Sequence, residues 1–292
     1  MELIDVTVRD GLQALPIVVP TELKIEIIQR LVGAGVSRLE VASFVNPSRV
    51  PQMADAEDLL AGLTAVQATL VGLVLNERGA RRALATNVHQ VNTVCVATQG
   101  LAKANQGRSS DETVSDAAGI LELLIAEGRD AHATIGAAFG APDDKIEHKT
   151  VLDIVKRLTD AGAREIVLAD TLGVATPHGV ASLIATLQSA LPSVPIRLHL
   201  HDPNGIAIEN ARAGLEHGIL KFDCSVAGLG GCPSTDQRSS NLSLEDGAVL
   251  AREVNSEFCI SPSAIRDVSN WVREQLASLA GVDDGANKPR WN

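Results

Sequence analysis

The sequence predicts a (β/α)8 TIM barrel with a short C-terminal helical extension, and three observations carry that prediction. Amphipathic helical stretches alternate with short β-branched runs along the chain of 292 residues. Those runs are apolar along their length, the pattern of parallel strands covered by helices. Eight such units in about 250 residues is the arithmetic of this barrel.

Residues 2–8, 37–42, 67–74, 90–97, 130–137, 164–169, 195–200 and 219–225 read as the strands. Four junctions, "AGVSRLEVAS", "EGRDAHATIG", "AGAREIVLAD" and "HGILKFDCSV", repeat one form in which a glycine breaks a helix just before a strand. Helix starts are marked by Pro20, Thr21 and Glu22, by Asp111 and Glu112, and by Thr176 with Pro177. No glycine-rich dinucleotide loop follows the first strand, which excludes the doubly wound sheet as the better alternative. No Pro/Ser-rich linker divides the chain, so residues 1–292 read as a single domain, with the part after about residue 255 as the extension.

Composition narrows the function classes. Apolar residues make up 45% of the chain but aromatics only 2%, so the core is built from aliphatic side chains. A formal charge of −11 argues against nucleic-acid or anionic-membrane partners. The start "MELIDVTVRD" lacks the basic and apolar regions of a signal peptide, and the expected location is cytoplasmic. Cys95, Cys224 and Cys259 sit in apolar surroundings and read as small buried hydrophobes. Cys232 differs, because it stands between two glycines and a proline in "GLGGCPSTDQRSSN", with no apolar run to pack against.

Active sites of such barrels lie at the C-terminal ends of the strands. Arg9, Asp10 and Gln13 stand there on the first strand, Ser43 on the second, Asp170 and Thr171 on the sixth, "HLHD" on the seventh, and Cys232 and Asn241 after the eighth. His199 and His201 are two apart on a strand, so both rings face the same side, either the barrel interior or the helices. An H-x-H pair also arises by chance, but its alignment with Asp10 at another strand end favours a metal site. With Asp10 and the amide oxygen of Asn241 the two histidines form a mixed N/O set suited to Mg²⁺ or Mn²⁺. Glu40 and Asp170 lie in buried strands and need partners, which Arg9, a ligand histidine or the surroundings of a metal would supply. Asp202 reads as a helix cap, and His89, His132, His148, His178 and His217 as structural or surface residues.

The motifs "RDGLQ", "LEVASFVNPSRVPQM", "LADTLGVATP", "HLHDPNG", "VAGLGGCP" and "NLSLED", in this order, resemble the 3-hydroxy-3-methylglutaryl-CoA (HMG-CoA) lyase family of metal-dependent TIM-barrel carbon–carbon lyases. The resemblance implies Asp10, His199, His201 and Asn241 as metal ligands, Arg9 as the enolate-stabilising arginine, and Cys232 as a cysteine on a mobile loop that moves a proton. It also implies Glu40 and Asp170 as active-site acids, a homodimer or higher homo-oligomer, and a place in leucine catabolism. The expected reaction is retro-Claisen cleavage of HMG-CoA, or a related 3-hydroxy-acyl-CoA, to acetoacetate or its analogue and acetyl-CoA. Gln13, Ser43 and Thr171 are the expected substrate contacts, and Arg78, Arg81 and Arg82 either bind CoA phosphates or form a solvated helix face. "DGLQAL", "HDPNG" and "PSTDQRSS" depart from the family pattern and bear on the acyl group. A lyase for a free 3-hydroxy acid and a noncatalytic metal- or metabolite-binding barrel are the alternatives.

Overall fold

The computed structural model describes residues 1–203, 205–231, 240–254 and 260–281. Its strands are β1 (Glu2–Asp5), β2 (Arg38–Ser43), β3 (Thr69–Val74), β4 (Gln90–Val96), β5 (Asp130–Gly136), β6 (Ile166–Ala169), β7 (Ile196–His199) and β8 (Lys221–Cys224). The helices are α1 (Thr21–Gly33), α2 (Ala56–Gly62), α3 (Glu77–Leu84), α4 (Gln99–Gln106), α5 (Ser110–Ala126), α6 (His148–Asp160), α7 (Pro177–Ala190), α8 (Ala207–Glu216), α9 (Leu244–Glu253) and α10 (Pro262–Leu279). All the strands pair in parallel and close in sequence order, with β1 bonded to both β2 and β8, so the predicted TIM barrel is present. The helical extension is α10, which buries Ile265, Val268, Val272 and Leu276. The Arg30 guanidinium of α1 lies 3.9 Å from the Trp271 ring centroid on α10 and holds the two helices together.

The caps form where the sequence places them. Ser109 and Glu112 make a reciprocal capping box on α5, and Thr176 with Pro177 opens α7. Asp202 accepts the amide of Ala207 at 2.7 Å and so serves the start of α8. Cys95 and Cys224 are buried free thiols, while Cys259 lies outside the described residues.

Two expectations need correction. The first strand stops at Asp5 rather than reaching residue 8, and Thr7–Gly11 form a π-helical turn. The Asp5 carboxylate accepts the Thr7 amide at 3.0 Å and its hydroxyl at 2.7 Å, local bonds that compete with the sheet ladder. The Val6 carbonyl then takes the amides of Asp10 and Gly11, at 2.8 and 3.1 Å. This turn replaces strand alternation and carries Arg9 and Asp10 into the barrel mouth.

The second correction concerns the barrel interior. The strand faces that meet the helices are apolar, but the axial face is charged. Arg38 of β2 donates to Glu165 at 2.7 Å and meets Nδ1 of His132 on β5 at 2.8 Å. Lys221 reaches the other Glu165 oxygen at 2.5 Å. Arg197 of β7, fully buried, lies 3.5 Å from Glu165 and 3.4 Å from Asp223. His132 is therefore structural, as expected, but with a convergent set of partners that its surroundings in the chain do not show.

Burial alone would raise the Glu165 carboxyl, yet Arg197 and Arg38 outweigh it and hold it well below the usual carboxylate range. The stability it contributes is therefore present above its unfolded value, about pH 4, and lost as acid carries the pH down toward the depressed folded value. Replacing Glu165 by Ala leaves Arg38 and Arg197 buried without their shared counter-charge, and should cost about 3–5 kcal/mol. Urea unfolding checks this, and the variant should also lose part of the acid sensitivity of the midpoint. A midpoint unchanged from the parent would remove Glu165 as the keystone of the barrel floor.

Candidate active site

The site assembles on β1, β7 and β8 at the C-terminal rim. His199 and His201 face the barrel interior, which settles the choice the H-x-H spacing leaves open. His199 Nδ1 lies 3.0 Å from a carboxylate oxygen of Asp223, and His201 Nδ1 lies 3.0 Å from the carbonyl of Thr171. Both acceptors lack protons, so both Nδ1 atoms donate. The two Nε2 atoms then face each other at 3.2 Å. Such a pair calls for a cation between the rings, a proton or a metal ion.

Electrostatics agree with the geometry. Burial, reinforced by the neighbouring His199, lowers His201 to about 4, so it is neutral at pH 7. For His199 burial acts downward too, but the hydrogen bond and charge of Asp223 outweigh it and raise it. Burial would raise Asp10, yet Arg9 and the two histidines bring it down to about 2, leaving an anion at neutral pH. Asp10, His199 and His201 each offer a ligand atom, and these atoms lie within 4.8 Å of one another.

Asn241 adjoins this group. Its Nδ2 donates to Asp10 Oδ2 at 2.8 Å and to the Leu229 carbonyl at 2.9 Å. Its Oδ1 is buried with no hydrogen-bond partner among the described residues. A buried carbonyl oxygen without a donor, beside a carboxylate and two imidazole lone pairs, is a donor set that fits a hard divalent cation. The close approach also explains one glycine. A Cβ at Gly230 (φ +133°) would stand 2.2 Å from Asn241 Nδ2 and 2.7 Å from Asp10 Oδ2.

Arg9 is held from two sides. Its Nε donates to Glu40 and its Nη1 to Asp10, while Glu40 takes a second bond from Asn92 Nδ2 at 2.9 Å. This leaves Nη2 without a partner among the described residues, on a side chain that lines the cavity. Asp170 is placed differently. Its carboxylate accepts the amides of Val174 and Ala175, and burial pushes it up to about 6 despite those bonds. It shapes the loop before α7 and does not line the cavity.

A cavity of about 500 Å³ is lined by Arg9, Asp10, His199 and His201, and also by Gln13, Ser43 and Thr171. Ser43 Oγ and Gln13 Oε1 are buried without partners, which suits them to meet a ligand. Thr171 Oγ1 instead accepts the Ala137 amide at 2.9 Å. Ala14, Leu15 and Pro203 do not line the cavity, so these departures act less directly on the acyl group than their place beside the motifs suggests. Cys232 and Asn204 lie outside the described residues, although Gly231, just before Cys232, reaches the cavity wall. A separate groove of about 440 Å³ beside α5 and α6 holds none of the metal-site residues.

Sequence reasoning passed over Asp223, Asn92 and Arg49. Period-two counting along β8 and β4 puts the first two on the axial face, but their meeting with His199 and Glu40 is set by barrel closure. Arg81 and Arg82 are paired with Glu77 and Glu57. They belong to the helix surface and its packing.

The comparisons with known proteins agree with this geometry. Residues 1–272 match the family model described as HMGL-like. An (R)-citramalyl-CoA lyase of Chloroflexus aurantiacus is 36% identical over 286 residues, covering 94% of this chain and 90% of that one. The mitochondrial hydroxymethylglutaryl-CoA lyase of Mus musculus is 33% identical, over 94% of this chain and 86% of the relative. A solved HMG-CoA lyase of Acinetobacter baumannii, in complex with coenzyme A and 3-methylmalate, superposes with a TM-score of 0.88 at 32% identity, covering 99% of this chain and 96% of that one. No helix among the described residues is long and apolar enough to cross a membrane. A closed parallel barrel with an Asp/His/His site at its mouth, matched almost end to end by lyases, places this chain in the HMGL-like family as a carbon–carbon lyase.

Proposed function

We propose that the protein cleaves HMG-CoA, or a closely related 3-hydroxy-acyl-CoA, to acetyl-CoA and an oxo acid in a reaction that depends on Mg²⁺ or Mn²⁺. The observation that carries the metal half is the facing Nε2 pair of His199 and His201 beside the unpartnered Oδ1 of Asn241. When bound, the cation would lower the pKa of the substrate hydroxyl and fix its orientation. Asp10, His199, His201 and Asn241 would hold it.

The rest of the chemistry falls to the chain. Transfer of the tertiary hydroxyl proton to a general base turns that carbon into the carbonyl of the oxo acid as the adjacent carbon–carbon bond breaks. The electron pair of that bond moves onto the thioester as an enolate. Arg9 Nη2, free while Nε and Nη1 are engaged, is the donor available to the developing oxyanion. Glu40 keeps the guanidinium in place for it. Cys232, following the cavity-lining Gly231, delivers the proton that completes acetyl-CoA. Asp170 acts by holding the loop next to Thr171. The relatives support this substrate class: HMG-CoA and citramalyl-CoA share a tertiary hydroxyl β to the thioester and differ by a methylene in the acid arm.

Chelation should abolish turnover and Mg²⁺ or Mn²⁺ restore it. Asn241→Ala should weaken Mn²⁺ binding by at least about 10-fold, read by titration of the paramagnetic ion, because a hard-oxygen donor is lost. Full activity in chelated enzyme would refute the site.

Cys232→Ser should lower kcat by about 10² or more with little change in Tm, as removal of a positioned proton donor does. A variant that stays fully active takes Cys232 out of the mechanism.

Specificity constants for HMG-CoA, citramalyl-CoA and the corresponding free acids define the substrate. HMG-CoA should be cleaved, and preference between the two thioesters should stay within about 10–200-fold, the discrimination a methylene supplies. Faster cleavage of a free acid would overturn the acyl-CoA assignment.

A further inference from the structure

We infer that Arg49 holds a phosphate of the coenzyme A part of the substrate at the mouth of the catalytic cavity, an inference that rests on the acyl-CoA reading above. Arg9 and Arg49 are the arginines among the described residues that line this cavity, and no lysine does. Arg9 is neutralised by Glu40 and Asp10. Arg49 is exposed and has neither ion pair nor side-chain hydrogen bond among the described residues. In a chain of net charge −11, an arginine left unpaired beside the catalytic cavity is a place for an anion.

The segment that carries Arg49 is firmly held. The amides of Arg49 and Val50 donate to the Asn46 carbonyl at 2.9 and 3.1 Å, and the Ser48 amide donates to Asn46 Oδ1 at 3.0 Å. Just beyond it, Gln52 Nε2 donates to the Leu15 carbonyl at 2.7 Å. The buried Lys24 ammonium donates to the Gln52 carbonyl at 2.6 Å and to Asp55 at 2.6 Å. The loop after β2 is thus tied to the loop after β1, and the guanidinium stands on a fixed base. Its planar fork matches phosphate oxygens.

Position decides which anion. Arg49 is exposed at the rim, whereas the histidines that hold the reacting end are buried. An acyl-CoA with its thioester at the metal site trails its phosphates outward through the mouth. Arg78, Arg81 and Arg82 line a different groove, and Arg81 and Arg82 are paired with Glu77 and Glu57, so the three do not compete for this role.

The test uses the full-length parent, Arg49→Ala and Arg49→Lys, with one acyl group presented as its coenzyme A, 3′-dephospho-coenzyme A and pantetheine thioesters. Arg49→Ala should lower kcat/KM for the coenzyme A thioester about 10-fold, as loss of a charge-assisted bond at a solvated site does. The pantetheine thioester, which lacks phosphate, should be cleaved by variant and parent at equal rates, and Arg49→Lys should recover part of the loss. An effect that disappears with the dephospho thioester supports the inference with the 3′-phosphate as the group held; an effect that persists supports it with the diphosphate. An equal fall with all three thioesters puts Arg49 on the acyl part and overturns the inference, as does no fall with any. A parent that cleaves none of them overturns the acyl-CoA reading itself.

Discussion

The contact between Arg197 and Asp223 is the constraint on which the site depends. Asp223 is buried, and burial alone would raise its carboxyl; Arg197 and His199 outweigh that and keep it an anion. As an anion it accepts the Nδ1–H of His199 and fixes the ring with Nε2 toward His201. Arg197 in turn is balanced by Glu165, and Glu165 by Arg38 and Lys221. A column of alternating charge therefore runs from the barrel floor to the mouth. A carboxylate or guanidinium in such an interior is tolerable only with its neighbours in place. The floor of a TIM barrel ordinarily serves stability and its mouth chemistry; here one charge network serves both.

The second constraint is closure between the two ends of the chain. Thr7 Oγ1 in the π-turn accepts the Val226 amide at 2.8 Å, and Asn241 pairs with His201 in an isolated antiparallel bridge. Asn241 then binds both Asp10 and Leu229. The candidate ligand set draws one residue from the first β/α unit, two from the seventh and one from the segment after the eighth strand. It exists only once β8 has paired with β1. A partial barrel would present the His199/His201 pair but not the whole group, so completion of the candidate site and closure of the fold are coupled.

Charge around the cavity is arranged by depth. Within it, Arg9 is engaged by two carboxylates through Nε and Nη1. At the rim, Arg49 is left to solvent. The first arrangement fixes the orientation of the guanidinium, and the second places a positive charge beside the cavity without burying an unpaired ion.

Much of this was legible in the sequence because it is local. Alternation of helix and strand patterns located all the strands to within a few residues, and strand-end placement picked out Asp10, His199, His201 and Asn241 from across the chain. The spacing of the histidines put them on one face, but not on which face. The first strand was read too long because β-branched "VTV" signals a strand, while the bonds from Asp5 to Thr7 that curl it into a π-turn are a matter of geometry. Arg38 and Glu165, 127 residues apart, carry no mark in the chain of being partners. Nor does anything in "NPSRV" and "NERGARR" say which arginines are paired, since Glu57 reaches Arg82 only when the fold brings α2 and α3 together. What the sequence by itself determined was periodicity, and hence the barrel and the residues at its rim. The tertiary structure alone decided which charges neutralise one another, because Coulomb pairing and desolvation act on distances that only the closed barrel sets.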